Sequence, residues 1–161
     1  MKDDDQLKVP LTATAALLLK GEHACHECGC FVPVFAVMLI GPFQGESALP
    51  LDASDDSALL RRPQELPTEL ATAMTQASQG NFRPDFSKTI AETYWMNHCQ
   101  ECDAKIGDWF VHKPGEAFFP TTDEERAKLT GELVAGQFTF RDPDIAVSSW
   151  TSAFLRLAMN R

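Results

Sequence analysis

Five cysteines carry the most specific chemistry in this chain: Cys25, Cys28, Cys30, Cys99 and Cys102. Four of them form two C-x-x-C pairs, CHEC at 25–28 and CQEC at 99–102. Two residues between cysteines let a tight turn aim both sulfurs at one point, with turn N–H groups left to donate to them. Two such turns make a soft tetrahedral donor set, which Zn²⁺ accepts without any ligand-field preference. The expectation is one structural zinc ion held by Cys25, Cys28, Cys99 and Cys102. Cys30 is left over. It reads as a buried small hydrophobe, or as a substitute ligand for Cys25 or Cys28. His23, His26 and His98 lie beside the pairs and read as solvated or orienting groups. A two-metal cluster recruiting Cys30 and a histidine is the more elaborate alternative.

Other chemistries of the same residues fit less well. A thioredoxin-like redox pair stands at a helix start, where the helix dipole lowers the thiol pKa; here each pair precedes β-type residues. Catalytic zinc keeps a position for water and has three protein ligands, whereas four cysteines close the shell. A zinc deaminase needs H-x-E and P-C-x-x-C; this chain has His23-Ala24-Cys25, and His98 stands where that proline would. His26-Glu27 is followed by Cys28-Gly29-Cys30, so no H-E-x-x-H is formed. G-x-S-x-G, G-x-G-x-x-G and Walker A motifs are absent from the sequence. A zinc enzyme or a Cys30/His nucleophile–base dyad stays open as an alternative. The primary expectation is no enzymatic activity.

Compartment decides how cysteines are read. The segment MKDDDQLK places Asp3, Asp4 and Asp5 where a secretory leader carries positive charge. The longest apolar run, Phe31–Phe43, contains Pro33 and Pro42 and is too short to cross a bilayer. The expectation is a cytoplasmic protein with no membrane contact, in which thiols stay reduced and disulfides are disfavoured.

The surroundings of the pairs repeat. After the first come Gly29, Cys30 and FVPVFAVML; after the second come Asp103, Ala104, Lys105, Ile106, Gly107 and DWFV. Each is C-x-E-C, a short bend, then an apolar β-type run. The pattern resembles the zinc-ribbon class, in which two knuckles each open a strand or hairpin and share one ion. Cys28-Gly29 matches the glycine common after a knuckle. Asp103 departs from it, so a different backbone shape is expected at the second turn. The wording YWMNHCQECDAKIGDWF is also similar to uncharacterised bacterial proteins with paired knuckles. That likeness implies a fold and brings no activity with it.

The elements that must position these knuckles can be read coarsely. The fold class expected is α+β: a split zinc-ribbon-like β core, a helical insertion between the knuckles and a C-terminal helix–strand–helix region. Residues 1–161 are expected to form a single zinc-stabilised domain. Within it, knuckle 1 occupies 21–40, the insertion 44–93, knuckle 2 94–112 and the C-terminal region 121–161. Cys28 and Cys99 are separated by 70 residues. Closing such a loop costs on the order of 4 kcal/mol, less than the roughly 10–16 kcal/mol a structural zinc site supplies.

The N-terminal arm reads as a strand at 7–11 and a helix at 13–20, with Thr12 as N-cap and Gly21 as C′ residue. Residues 31–43 read as a buried strand and 44–63 as a loop with an acidic cluster at Asp52, Asp55 and Asp56. Leu66, Leu70, Met74 and Ala77 predict a helix over 65–79, capped by Gly80. Residues 81–88 read as a polar turn, Trp109–Val111 as strand and 113–115 as a turn. Thr122 and Glu125 form a capping box for a helix over about 123–130. Leu133–Phe140 alternates as a strand. A last helix starts at Pro143-Asp144, with Trp150, Phe154, Leu157 and Ala158 on its core face. The aromatic residues Tyr94, Trp95, Trp109, Phe110, Phe118 and Phe119 are expected to pack the ribbon against the inserted helix.

Charge narrows the partner. Lys and Arg number 14 against 23 Asp and Glu, for a net −9. Residues 21–60 carry six acidic residues and no Lys or Arg, and residues 91–132 carry nine acidic against four basic. Residues 61–90 have a positive balance, with Arg61, Arg62, Arg83 and Lys88 against three acids. A ribbon that binds nucleic acid surrounds its knuckles with cations; this one does the reverse. The function expected is a non-enzymatic intracellular zinc-binding adaptor with a basic protein partner. The alternatives are an acidic inhibitor of a nucleic-acid-handling protein, and a nucleic-acid-binding ribbon acting through residues 61–90.

Overall fold

A computed structural model describes residues 10–44, 56–141 and 143–159. The chain is mixed α+β, with antiparallel sheets and four helices among the described residues. A five-stranded sheet has the order β7-β1-β2-β3-β8, made by Thr130–Arg141, Pro10–Ala24, Phe31–Ile40, Ser57–Arg61 and Asp144–Ala146. A three-stranded sheet joins β4 (Phe82–Ser87), β5 (Glu92–His98) and β6 (Lys105–Ile106) in that order. The helices are α1 (Thr68–Ser78), α2 (Asp108–Val111), α3 (Asp123–Ala127) and α4 (Ser149–Met159).

Both faces of the larger sheet are covered, so its central strands are apolar almost throughout. One face carries Leu17, Leu19, Val34 and Met38 against Ile106, Phe118 and the α4 residues Trp150, Phe154 and Leu155. The other carries Leu18, Phe35, Val37 and Leu39 against Leu70 and Met74 of α1 and Phe82 of β4. Asn97 of β5 couples the two sheets. Its Oδ1 accepts from the Phe35 N–H at 2.7 Å, and its Nδ2 donates to the Phe35 carbonyl at 3.0 Å, all buried.

Several elements differ from the sequence expectation. Residues 13–20 are strand, not helix, and continue β1 from Pro10 to Ala24; the expected strand at 7–9 lies outside the described residues. Leu11 and Ala13 face the same core as Ala16 and Leu18. The alternation therefore changes parity near Thr14, where the ladder to β7 shifts register, and the broken period imitates a helix. Gly21 is no helix cap: a Cβ there would stand 3.0 Å from Leu129 and 3.1 Å from Ala117, so the close approach favours glycine.

Within the span read as a loop, residues 57–61 form β3, while residues 45–55, including Asp52 and Asp55, lie outside the described residues. The insertion is thus not purely helical; it supplies a strand to each sheet. Residues 82–87 form β4, whose Pro84 is tolerated because β4 is an edge strand. Residues 109–111 are the short helix α2, not strand. Helix α1 is shorter than expected, starting at Thr68 after Pro67, with Leu70, Met74 and Ser78 buried and Ala77 exposed. Helix α3 stops at Ala127 with the Thr122 cap formed, the hydroxyl accepting from the Glu125 N–H at 3.1 Å. Strand β7 starts at Thr130 and runs to Arg141. Asp144 begins β8, and the last helix starts five residues later. In α4, Leu155 takes the buried place assigned to Leu157, which is 51% exposed.

Candidate metal centre

The two C-x-x-C pairs are the tips of two hairpins. Knuckle 1 joins β1 to β2, beyond the pair Ala24↔Phe31. Knuckle 2 joins β5 to β6, beyond the pair His98↔Lys105. Their backbones are near copies. The Cys25 N–H donates to the Cys30 carbonyl at 2.9 Å and the Gly29 N–H to the Cys25 carbonyl at 2.8 Å. Likewise the Cys99 N–H donates to Ala104 at 2.9 Å and the Asp103 N–H to Cys99 at 2.8 Å. The N–H of Glu27 points at Cys25 Sγ and that of Glu101 at Cys99 Sγ, each at 3.4 Å. Gly29 has φ +76° and Asp103 +65°. The different shape expected at Asp103 is therefore not found: aspartate tolerates the left-handed region better than most residues. Its carboxylate also accepts from Arg83 Nη2 at 3.0 Å.

The hairpins bring Cys25, Cys28, Cys99 and Cys102 together, with all four sulfurs within 4.8 Å of one another. Cys25 Sγ lies 3.6 Å from Cys102 Sγ, and Cys28 Sγ lies 3.7 Å from Cys99 Sγ. These are not disulfide distances; all the cysteines are free thiols. Sulfurs about 2.3 Å from a central zinc ion stand about 3.8 Å apart along the edge of a tetrahedron, so the donor set fits. The cluster can hold a metal ion. The first cysteine of each pair is buried in the core and the second is exposed, so the site sits in the protein surface with one edge rooted in the core.

Electrostatics in the bare thiol cluster is unbalanced. The N–H groups of Cys28 and Glu27 hold the Cys25 thiol down to about 7 against the cost of burial. At Cys102 the Ala104 N–H acts in the same direction, but local desolvation and the crowding sulfurs of Cys25, Cys99 and Cys28 outweigh it and push that thiol up to about 12. Four thiolates at this spacing need a cation to be charged together.

The neighbours predicted as accessory groups take different places. Cys30 is exposed, against the expectation of burial, and stands outside the four-sulfur group. His98 is buried; its Nε2 lies 2.7 Å from Asp85 Oδ2 and its Nδ1 3.2 Å from the carbonyls of Asn81 and Met96. It anchors the chain one residue before Cys99. The His98 hydrogen bond holds the Asp85 carboxyl down to about 2, helped by the Phe86 N–H and Lys105 against burial. His26 stacks on Phe110 of α2 with ring centres 4.2 Å apart, which ties knuckle 1 to the helix following knuckle 2. His23 Nδ1 is 3.4 Å from Glu116.

Of the aromatic cluster, Tyr94 and Phe118 are buried and Trp95 packs toward α1. Trp109, however, is 71% exposed, and Phe118 packs on the α4 side of the sheet. Sequence reasoning passed over one buried pair, Asp108 and His112 of α2 and its C-cap, 3.5 Å apart. Its only trace in the sequence is the i, i+4 spacing. No described helix is long and apolar enough to cross a membrane. No family profile, curated protein or solved structure matches this chain.

Proposed function

We propose that the protein is a non-catalytic zinc protein, in which one ion bound by Cys25, Cys28, Cys99 and Cys102 clasps two hairpins of a ribbon-like core, and that it acts as a protein-interaction module. The observation that carries the reading is the pair of sulfur separations, 3.6 and 3.7 Å, close to the edge of a zinc–thiolate tetrahedron. Four thiolates fill the coordination sphere and leave no position for a reacting water, which makes the ion structural. Around it the surface is acidic and aromatic: Glu27, Glu101 and Asp103 are exposed at the tips, and Phe31, next to Cys30, is 77% exposed. Such a surface suits a partner with a basic face and an apolar pocket.

Metal analysis with thiol counting tests the zinc reading. One zinc per chain and one titratable thiol, Cys30, in the native protein is the expected result. Two metals, or no metal with five reactive thiols, contradicts it. A pull-down in which Phe31→Ser loses the partners that the unaltered protein retains tests the interaction role. Identical recovery by the two proteins contradicts it.

A further inference from the structure

A groove of about 820 Å³ opens beside the second knuckle, between the end of β3, the β4–β5 turn and α2. Its size is within the roughly 300–1,000 Å³ of small-molecule sites. Its charge runs against that of the chain. Five of the 14 Lys and Arg residues line it, namely Arg61, Arg62, Lys88, Lys105 and Lys113, and Asp108 is its one acid. Asp144 neutralises Arg62 at 2.6 Å, and Lys105 leans to Asp85 at 3.5 Å. Arg61, Lys88 and Lys113 have no carboxylate partner among the described residues.

Two residues of the lining each have a buried side-chain nitrogen without a hydrogen-bond partner, Arg61 Nε and His112 Nδ1. The His112 side chain is only 7% exposed and turns Nε2 toward Asp108 Oδ2. Burial holds its pKa down against the pull of Asp108; in the tautomer that carries its proton on Nε2, beside the carboxylate, Nδ1 is an acceptor. A buried polar atom left without a partner costs free energy that a ligand can recover. The rim supplies flat surfaces: exposed Trp109, with Lys113 Nζ 4.0 Å from its ring centre, and half-exposed Phe86.

We propose that this groove binds a small anion carrying a flat ring with a hydrogen-bonding edge, the chemistry of a nucleoside monophosphate. Arg61, Lys88 and Lys113 take the anionic group, Trp109 stacks on the ring, and His112 Nδ1 accepts from an amino N–H on the edge of the base. A polymer is disfavoured. A strand leaving the groove meets exposed Glu27, Glu101 and Asp103 at the knuckles, whereas a compact anion does not. A second groove, of about 1000 Å³, lacks this character, because Glu65, Glu92 and Asp144 face its arginines.

Titration of the full-length, metal-loaded protein with adenosine 5′-monophosphate, read by tryptophan fluorescence and calorimetry, tests the proposal. Saturable sub-millimolar binding at one site is expected, with phenyl phosphate and inorganic phosphate each at least about tenfold weaker. Arg61→Gln weakens binding about tenfold or more with an unchanged thermal midpoint, and Trp109→Ala abolishes the fluorescence change. No saturation by the nucleotide overturns the proposal. Equal binding of phenyl phosphate overturns the role of His112. Tighter binding of an oligothymidylate than of the monomer overturns the small-ligand assignment in favour of a single strand. The proposal is independent of the zinc reading, because metal content is measured on the same samples.

Discussion

Knuckle 1 closes a hairpin with ten ladder pairs, whereas knuckle 2 closes one with two. Both turns nevertheless carry the same hydrogen bonds and the same left-handed fourth step. The shape of the turn is thus local, set by two cysteines and the N–H groups between them. Its persistence comes from what stands behind it. Strands β1 and β2 are central in a sheet covered on both faces. Strand β6 is a two-residue edge, and knuckle 2 is held through Asn97, His98, the core residue Ile106 and the sulfur cluster.

The largest effect expected from this contrast follows loss of the metal. Apparent binding energies of roughly 10–16 kcal/mol for structural zinc match or exceed the whole stability of a domain, about 5–15 kcal/mol. Chelation, or Cys99→Ser, should abolish the cooperative thermal transition. By hydrogen exchange, protection should disappear in residues 99–112 before it disappears in β1 and β2. Equal loss in both hairpins breaks the comparison.

Next in size is the link between the sheets. Asn97→Ala strands the buried N–H and carbonyl of Phe35 and should cost about 2–4 kcal/mol, measured by denaturant unfolding of the metal-loaded protein. A cost under about 1 kcal/mol means knuckle 2 is supported elsewhere.

The two left-handed residues give a smaller, signed test. Gly29→Ala meets no atom within 4 Å, so its cost is backbone strain alone, about 1 kcal/mol. Asp103→Gly relieves that strain but loses the exposed pair with Arg83, worth about 0–1 kcal/mol. It should leave stability within about 0.5 kcal/mol. A clear loss would show that the ion pair, and not the turn, orders knuckle 2.

A further test of knuckle 2 is in acid. Asp85 titrates near 2 when folded and near 3.9 when unfolded. Its stabilisation is therefore full above about pH 4 and is lost as pH falls through the folded value. The difference in unfolding midpoint between the unaltered protein and Asp85→Asn should be constant near neutrality and shrink from about pH 4 toward 2. A difference that grows in acid contradicts the assignment.

The metal cluster was legible because its signal is chemical: cysteine spacing survives whatever scaffold surrounds it. Helices α1 and α4 were legible from their period, although Leu157 and Leu155 exchanged places by less than a turn. Strand β1 was not, because burial on both faces and a change of parity near Thr14 erase the period of two. Strand β4 was hidden by Pro84 and its polar, half-exposed residues, which an edge strand accepts. The groove was invisible because Arg61, Lys88 and His112 meet only after β3, the β4–β5 turn and α2 are assembled. The positive balance of 61–90 was its one trace.

X-ray absorption at the zinc edge on the purified protein tests the clasp most directly. The account predicts one zinc per chain with four sulfurs at about 2.3 Å and no lighter ligand. A nitrogen or oxygen in the first coordination sphere, or protein that folds without any bound metal, would contradict it.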